Sequence, residues 1–316
     1  MAIRFAARGL LALLLGLPAA LLAAPLAYVP NEKSGTLSVI DTTDSVVVAT
    51  IPAGSRPRGI AADPAGKFLY VTDASSSELL VIDLPGRSIV RRVALGESPE
   101  GVSVSADGRW LAAAVEVNNS VVLLDAASGR REAEIRVQGK NPEHAVFSPD
   151  GRWLYVSAEE AEQVDVIDVA ARRQVGSIPV GRRPRGIAFL PDSSRAYVAC
   201  EVASMVYAID VVSRKVVAEI RAGQFSNGVA VTPDGKRVFI SNGKDGTVSA
   251  IDTATNAVLA TIEVGKRPWN MAVTPDGRRL YVANGRSGSV SVIDTAALVK
   301  LADVPVGELP WGVVIP

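Results

Sequence analysis

The chain has 316 residues, with 33 basic side chains, 33 acidic side chains, one histidine and one cysteine. A formal net charge of zero argues against a protein that coats nucleic acid, because such proteins carry a strong basic excess. The single Cys200 excludes an internal disulfide framework, and the single His144 excludes metal sites that need two or three imidazoles. A chain without disulfides must draw its stability from core burial, for which its length is ample.

The first 26 residues predict a secretory signal peptide. Arg4 and Arg8 precede an uncharged run over 9–27 that is rich in leucine and alanine and contains two prolines. We expect cleavage between residues 23 and 27, export to the bacterial periplasm and no stable membrane insertion afterwards. The alternative is an uncleaved anchor, because a run of this length approaches that of a membrane span.

An aspartate that follows a short apolar run recurs every 42 or 43 residues. The seven copies are Asp41, Asp83, Asp125, Asp168, Asp210, Asp252 and Asp294. A proline, replaced once by serine, follows each aspartate after 16 residues, or after 17 in the third copy. These residues are Pro57, Pro99, Pro142, Pro184, Ser226, Pro268 and Pro310. A period near 42 suits either helical HEAT-type units or four-stranded propeller blades.

Local patterns decide between helices and strands. Polar and apolar residues tend to alternate with a period of two over 246–252 and 289–294, which predicts strands. The Pro-Asp-Gly segments at 149–151, 233–235 and 275–277 fit a type I turn followed by a glycine in the left-handed region. Each copy therefore predicts an antiparallel meander of four strands. In the sixth copy the predicted strands are 270–274, 279–284, 290–294 and 301–306.

We predict an all-β protein, a seven-bladed β-propeller of four-stranded antiparallel blades that occupies 27–316 as a single domain. The domain opens on a second strand at 27–29 and finishes on a first strand at 311–315. One blade must therefore pair the C-terminal innermost strand with three N-terminal strands. Such closure leaves no unpaired innermost strand. We further expect a monomer with no cofactor and no metal.

The copies resemble the YVTN-type β-propeller repeat, on the segments Tyr-Val-Thr-Asp at 70–73, Tyr-Val-Ser at 155–157 and Tyr-Val-Ala-Asn at 281–284. The two ends, 27–35 and 306–314, are similar to the propeller family associated with PQQ-dependent alcohol catabolism. That resemblance implies an exported accessory or binding protein that accompanies a periplasmic quinoprotein dehydrogenase or a transport component. It does not imply PQQ binding by this chain, which lacks the tryptophan docking repeats of the eight-bladed quinoprotein dehydrogenases.

Candidate binding residues lie where the blade-to-blade linkers converge on the mouth of the central channel. The residues after the seven prolines or their equivalent are Arg58, Glu100, Glu143, Arg185, Asn227, Trp269 and Trp311. The next residue is glycine in five copies but His144 and Asn270 in the other two. Because the scaffold repeats and these side chains do not, we predict that they bind a small polar ligand or a protein partner.

The order of charges around the mouth predicts an acidic sector that faces a basic and aromatic one. We predict no catalytic residue, because no nucleophile elbow or phosphate-binding glycine loop appears. One alternative is a lactonase-like hydrolase with Glu143 and His144 as an acid–base pair. Another is single-stranded nucleic-acid binding by Trp269, Trp311 and the linker arginines, which the balanced net charge disfavours.

The remaining repeated positions predict structural roles. We expect the seven aspartates to accept backbone N–H bonds in the turn after the third strand. We expect Cys200 to be buried and unreactive. The aromatic residues at one repeat position are expected to pack between blades, and they are Tyr28, Tyr70, Tyr155, Tyr197, Phe239 and Tyr281.

Overall fold

The computed structural model describes residues 25–316, which form strands and turns arranged in seven sheets. Nearly all of the predicted signal peptide lies outside the described residues. Among the described residues there is no helix with the length and apolar character required to cross a membrane.

Blade 1 is a three-stranded sheet from the N-terminal part of the chain, and blades 2 to 4 have four strands each. Blade 1 contains β1 (Leu26–Asn31), β2 (Thr36–Asp41) and β3 (Val46–Pro52). Blade 2 contains β4 (Pro57–Ala62), β5 (Phe68–Asp73), β6 (Glu78–Asp83) and β7 (Ser88–Ala94). Blade 3 contains β8 (Pro99–Val104), β9 (Trp110–Val115), β10 (Ser120–Asp125) and β11 (Arg131–Arg136). Blade 4 contains β12 (Pro142–Phe147), β13 (Trp153–Ala158), β14 (Gln163–Asp168) and β15 (Arg173–Pro179).

The other three blades repeat the four-stranded pattern. Blade 5 contains β16 (Pro184–Phe189), β17 (Arg195–Cys200), β18 (Met205–Asp210) and β19 (Lys215–Ile220). Blade 6 contains β20 (Ser226–Val231), β21 (Arg237–Asn242), β22 (Thr247–Asp252) and β23 (Val258–Glu263). Blade 7 contains β24 (Pro268–Val273), β25 (Arg279–Asn284), β26 (Ser289–Asp294) and β27 (Val299–Pro305). The predicted fold is confirmed, and the four strands predicted for the sixth copy are all present with ends shifted by up to two residues.

The C-terminal segment closes the ring by pairing with β1. Asn31 lies opposite Pro310 and Tyr28 lies opposite Val314. The Tyr28 N–H donates to the Val314 carbonyl at 2.9 Å, and the Val314 N–H donates back at 3.0 Å. The chain is thereby closed on itself, and blade 1 gains its innermost strand from the opposite end of the sequence, as predicted.

The turns follow the predicted chemistry. All seven repeated aspartates accept a backbone N–H bond in the turn that follows the third strand of their blade. Gly151, Gly235 and Gly277 have φ values of 70°, 70° and 75°, in the left-handed region where a side chain is strained. We call the end of the propeller that carries these turns the turn face.

The core consists of apolar layers between neighbouring blades. The predicted aromatic position supplies its largest members, and Tyr155, Tyr197, Phe239 and Tyr281 are fully buried. The Tyr197 hydroxyl on blade 5 donates to the side chain of Asn256 on blade 6 at 2.9 Å. Burial of such a side chain contributes about 1.5–3 kcal/mol, so these rings stabilise the contact between blades as expected.

Candidate binding site at the channel mouth

A bulge in each innermost strand turns the candidate residues toward the channel mouth. In blade 2, Pro57 pairs with Asp73 and Ile60 pairs with Val71, and the register shifts between them. The same shift occurs in the innermost strands of blades 3 to 7. The two residues after each proline are thus freed from the ladder, and a bulge of this kind re-aims side chains.

The mouth contains a cavity of about 370 Å³, which we call the mouth cavity. Eight of the nine predicted residues line it, namely Arg58, Glu100, Glu143, Arg185, Asn227, Trp269, Asn270 and Trp311. The ninth, His144, lies below it and lines a second cavity in the channel. The structure therefore brings most of the predicted set together at one end of the propeller.

Arg185 occupies the centre of the charged part of the mouth cavity. Its Nη1 lies 2.6 Å from the Glu143 carboxylate, its Nη2 lies 3.1 Å from Glu159, and its Nε lies 3.1 Å from Glu201. Glu201, which is 1% exposed, also lies 2.5 Å from Nη2 of Arg267. One guanidinium is thus held by carboxylates from three positions, and its side chain has little freedom to move.

Arg58 forms a second, smaller group of ion pairs. Its Nη1 contacts the Glu100 carboxylate, and its Nε lies 3.1 Å from Glu32. Glu32 in turn lies 2.8 Å from Nε of Arg56. Glu100 is 2% exposed, so its carboxyl is shielded from water.

These contacts correct the predicted separation into an acidic and a basic sector. Around the ring, Glu100 and Glu143 lie between Arg58 and Arg185, and each carboxylate pairs with the arginine next to it. The cavity lining includes five glutamates and five arginines. Arginines and glutamates therefore contact one another across the mouth, whereas sequence order alone suggested two opposed surfaces.

Burial and neighbouring charges act differently on the two most buried carboxyls. Burial, followed by the Glu143 carboxylate, raises the pKa of Glu100 to about 8, although contact with Arg58 opposes that rise. Burial also disfavours the charge on Glu201, but Arg185 and Arg267 outweigh it and lower the pKa of that carboxyl. The mouth thus holds one carboxyl that resists ionisation and one that is held ionised.

The uncharged part of the mouth consists of two tryptophans and two amides. The Trp269 ring lies against Gly285, where a Cβ would come within 2.5 Å of the ring. Trp311 is 9% exposed and accepts a hydrogen bond at its carbonyl from the Asn270 amide at 3.4 Å. Trp269 therefore presents the more accessible aromatic surface to the cavity.

The acid–base pair of the lactonase alternative does not form in the structure. The Glu143 carboxylate bonds to Arg185, whereas the His144 ring stacks on Trp311 with centroids 5.5 Å apart. Burial, with a smaller contribution from Arg185, lowers the pKa of His144 to about 3. Although the two residues are adjacent in sequence, the bulge directs their side chains into different cavities.

Glu32 is a mouth residue that the sequence interpretation missed. It lies one residue after β1, at the repeat position that Glu116, Glu159 and Glu201 occupy in blades 3, 4 and 5. The signal was present in the repeat register. It was hidden because blade 1 is assembled from both ends of the chain.

Cys200 lies just beneath the mouth and is fully buried, as expected. Burial raises the pKa of its thiol to about 12, so the reactive thiolate is disfavoured at neutral pH. In blades 1, 6 and 7 the same position holds Asn31, Asn242 and Asn284, which donate to hydroxyls on the next strand. Blade 5 replaces that polar bond with apolar packing.

Comparisons with known proteins agree on the fold. The model of the YNCE-like β-propeller family matches residues 39–237. A chain of the Kuenenia stuttgartiensis hydrazine synthase is similar with a TM-score of 0.73 and 24% identity, over 81% of this chain and 88% of that one. A functionally unknown protein from Desulfotomaculum acetoxidans DSM 771 is similar with a TM-score of 0.82 and 14% identity, over 92% and 99%. None of the curated proteins compared matches the chain. At such identities the solved structures bear on the fold alone.

Proposed function

The chain belongs to the YNCE-like β-propeller family, and on that premise we propose that it is an exported, non-catalytic protein that binds a ligand or partner protein at the mouth cavity. The observation that carries this proposal is the buried, non-repeating set of arginine–glutamate contacts around Arg58 and Arg185. Buried ion pairs contribute little to stability compared with apolar packing. Their presence at one end of a repeating scaffold is better explained by recognition.

The composition of the mouth supports recognition of a specific surface. Charged pairs that are already fixed by their neighbours lose little side-chain entropy when a partner binds. A partly exposed tryptophan beside them, here Trp269, is the residue type most often found to dominate binding energy. Together they form a rigid polar surface with an aromatic anchor.

We propose more narrowly that the partner is a periplasmic PQQ-dependent dehydrogenase or a transport component that acts with it. This step rests on the resemblance of segments 27–35 and 306–314 to the propellers of PQQ-dependent alcohol catabolism. These two segments pair with each other in blade 1, so the resemblance concerns one continuous part of the molecule. Genes for such a dehydrogenase beside this one would strengthen the assignment.

Two features of the mouth weigh against the alternative functions. All five arginines of the cavity lining lie within ion-pair distance of glutamates, which leaves less positive charge for a nucleic-acid backbone. A lactonase would need a general base near the substrate, and the Glu143–His144 pair is not formed. Neither alternative gains a supporting contact.

The proposal is tested by binding to the purified PQQ-dependent alcohol dehydrogenase of the same organism, measured by biolayer interferometry. We expect Trp269→Ala to weaken binding by about 30-fold, the loss typical of an aromatic anchor. Lys236→Ala on the turn face, where the side chain is 80% exposed, is the matched control and should bind like the parent. Absence of binding, or equal losses in both variants, would refute the proposal.

A further inference from the structure

A groove lies on the mouth side of the propeller where blades 6 and 7 meet, and we call it the rim groove. Its volume is about 790 Å³. It is formed by residues 243–247, where β21 turns into β22, by residues 263–267, where β23 leads into β24, and by Phe225 and Arg286. Three glycines in these segments line it, so part of its surface is backbone that another chain can approach closely.

Positive charge dominates the lining of the rim groove. The basic residues are Lys244, Lys266, Arg267 and Arg286, and the acidic ones are Asp245 and Glu263. Arg267 contacts Glu201 of the mouth, but among residues 25–316 no carboxylate lies within 4 Å of the charged nitrogens of the other three. Those three side chains are exposed, so their charge is available to an anionic partner.

Phe225 holds two of these cations beside the groove. Nζ of Lys244 lies 5.6 Å from the centroid of its ring, and Cζ of Arg267 lies 5.5 Å from it, which is within the range of cation–π attraction. The other six linkers carry no aromatic residue at this position, so the fold does not require one. The ring therefore orients charges that long side chains otherwise spread over many conformations.

The rim groove is continuous with the mouth cavity. Arg267 lines both of them. The ring of Trp269, which lines the mouth cavity, lies against Gly285, and the next residue is Arg286 in the wall of the groove. A partner anchored on Trp269 therefore places its neighbouring residues beside the rim groove.

We propose that the rim groove binds an acidic peptide segment of the protein that docks at the mouth cavity. Carboxylates of this segment pair with Lys244, Lys266 and Arg286. Its backbone N–H groups are donors for the two carboxylates of the lining. The protein that supplies the segment rests on the proposed function, whereas the preference for an acidic peptide rests on the groove itself.

A single-stranded nucleic acid is the competing occupant, because it is also anionic. Such a strand binds best where aromatic rings are open to base stacking, whereas the Phe225 ring already contacts two cations. A phosphodiester backbone also has no donor for the carboxylates of the groove, whereas a peptide has one N–H for each residue other than proline. Both differences favour the peptide.

The groove is tested with a fluorescein-labelled peptide that alternates glutamate with glycine, and with an oligothymidylate of equal charge. Fluorescence anisotropy measures both affinities at physiological ionic strength, where distant charges are screened. The groove variant combines Lys244→Gln, Lys266→Gln and Arg286→Gln. It should bind the peptide about tenfold more weakly than the parent, because three exposed ion pairs of ordinary strength are lost.

A control variant removes the same charge from the turn face. It combines Lys67→Gln, Lys236→Gln and Arg278→Gln, all at exposed positions, and should bind the peptide like the parent. Three results would each overturn the proposal. They are equal peptide affinities in the two variants, tighter binding of the oligothymidylate than of the peptide, and failure of the parent to bind the peptide.

Binding of the dehydrogenase in biolayer interferometry separates this inference from the proposed function. The groove variant should associate about tenfold more slowly than the parent, because rim charges act mainly on the association rate. Weakened binding of Trp269→Ala with unchanged association of the groove variant would refute the role of the groove and leave the proposed function intact. If the dehydrogenase does not bind at all, the proposed partner is wrong, and the peptide measurement still decides whether the groove binds an acidic segment.

Discussion

The two ends of the propeller are built from the same seven copies but differ in how far their side-chain contacts repeat from blade to blade. On the turn face, Thr232 and Thr274 each bond to the aspartate two residues later at 2.6 Å, and Ser148 does so at 2.5 Å. At the mouth, the side-chain contacts differ from blade to blade, and Arg185 alone contacts three carboxylates. Contacts that recur from blade to blade are those that the fold requires, whereas contacts found in a single blade are not required by the fold.

The largest expected effect comes from removing the carboxylate that the most arginines share. Glu201→Gln should lower the free energy of unfolding by about 3 kcal/mol, because buried arginine charge loses its partner. Chemical denaturation measures the change. Glu308→Gln is the control, since the Lys33–Glu308 pair is mostly exposed and should be worth about 0.5 kcal/mol or less. Equal effects would mean that the mouth pairs are no more buried in solution than the surface pair.

Crowding at the channel axis gives the next largest effect. Gly59→Ala should destabilise the protein by about 2 kcal/mol, because the added Cβ would meet the Glu100 carbonyl oxygen. Gly151→Ala on the turn face, where nothing lies within 4 Å of the added Cβ, should cost only the left-handed strain of about 1 kcal/mol. Thermal denaturation of both variants tests the order, and a larger loss at Gly151 would contradict it.

The raised pKa of Glu100 predicts a pH dependence of stability. A carboxyl that titrates near 8 when folded and near 4.5 when unfolded stabilises the fold below pH 4.5, and that contribution is lost as the pH rises toward 8. The slope is at most about 1.4 kcal/mol per pH unit. Glu100→Gln should remove it, since the amide resembles the protonated acid.

Denaturation of the parent and Glu100→Gln across this pH range makes the comparison. Arg58, Glu143, Glu116 and Arg185 also act on Glu100, and they are present in both proteins, so the difference isolates one group. Identical pH profiles would show that Glu100 ionises normally.

The smallest expected effect is at Cys200, where blade 5 differs from the asparagine of blades 1, 6 and 7. Cys200→Asn installs the residue found in blades 1, 6 and 7, yet we expect a loss of about 1 kcal/mol. In those blades the asparagine donates to hydroxyls such as Ser249 and Ser291, whereas blade 5 has Met205 and Tyr207 on the facing strand. A stabilised variant in urea denaturation would argue against this explanation.

The sequence was sufficient to predict the fold because each strand and turn is specified seven times. It also predicted which residues surround the mouth, since their positions follow from the repeat register. It could not predict their pairing, because the reach of the Arg185 side chain toward Glu143 and Glu201 depends on the bulge and on blade spacing. Likewise, the separation of His144 from Glu143 arises from backbone geometry that adjacency in sequence conceals.

The central claim is that the uneven end of the propeller is the one that binds. Hydrogen–deuterium exchange with and without the PQQ-dependent dehydrogenase tests it most directly, because it reports protection along the whole chain. We predict new protection in the linkers at 55–58, 140–143 and 182–185, and none in the turns at 148–151 and 232–235. Protection of those turns with unchanged linkers would contradict the account.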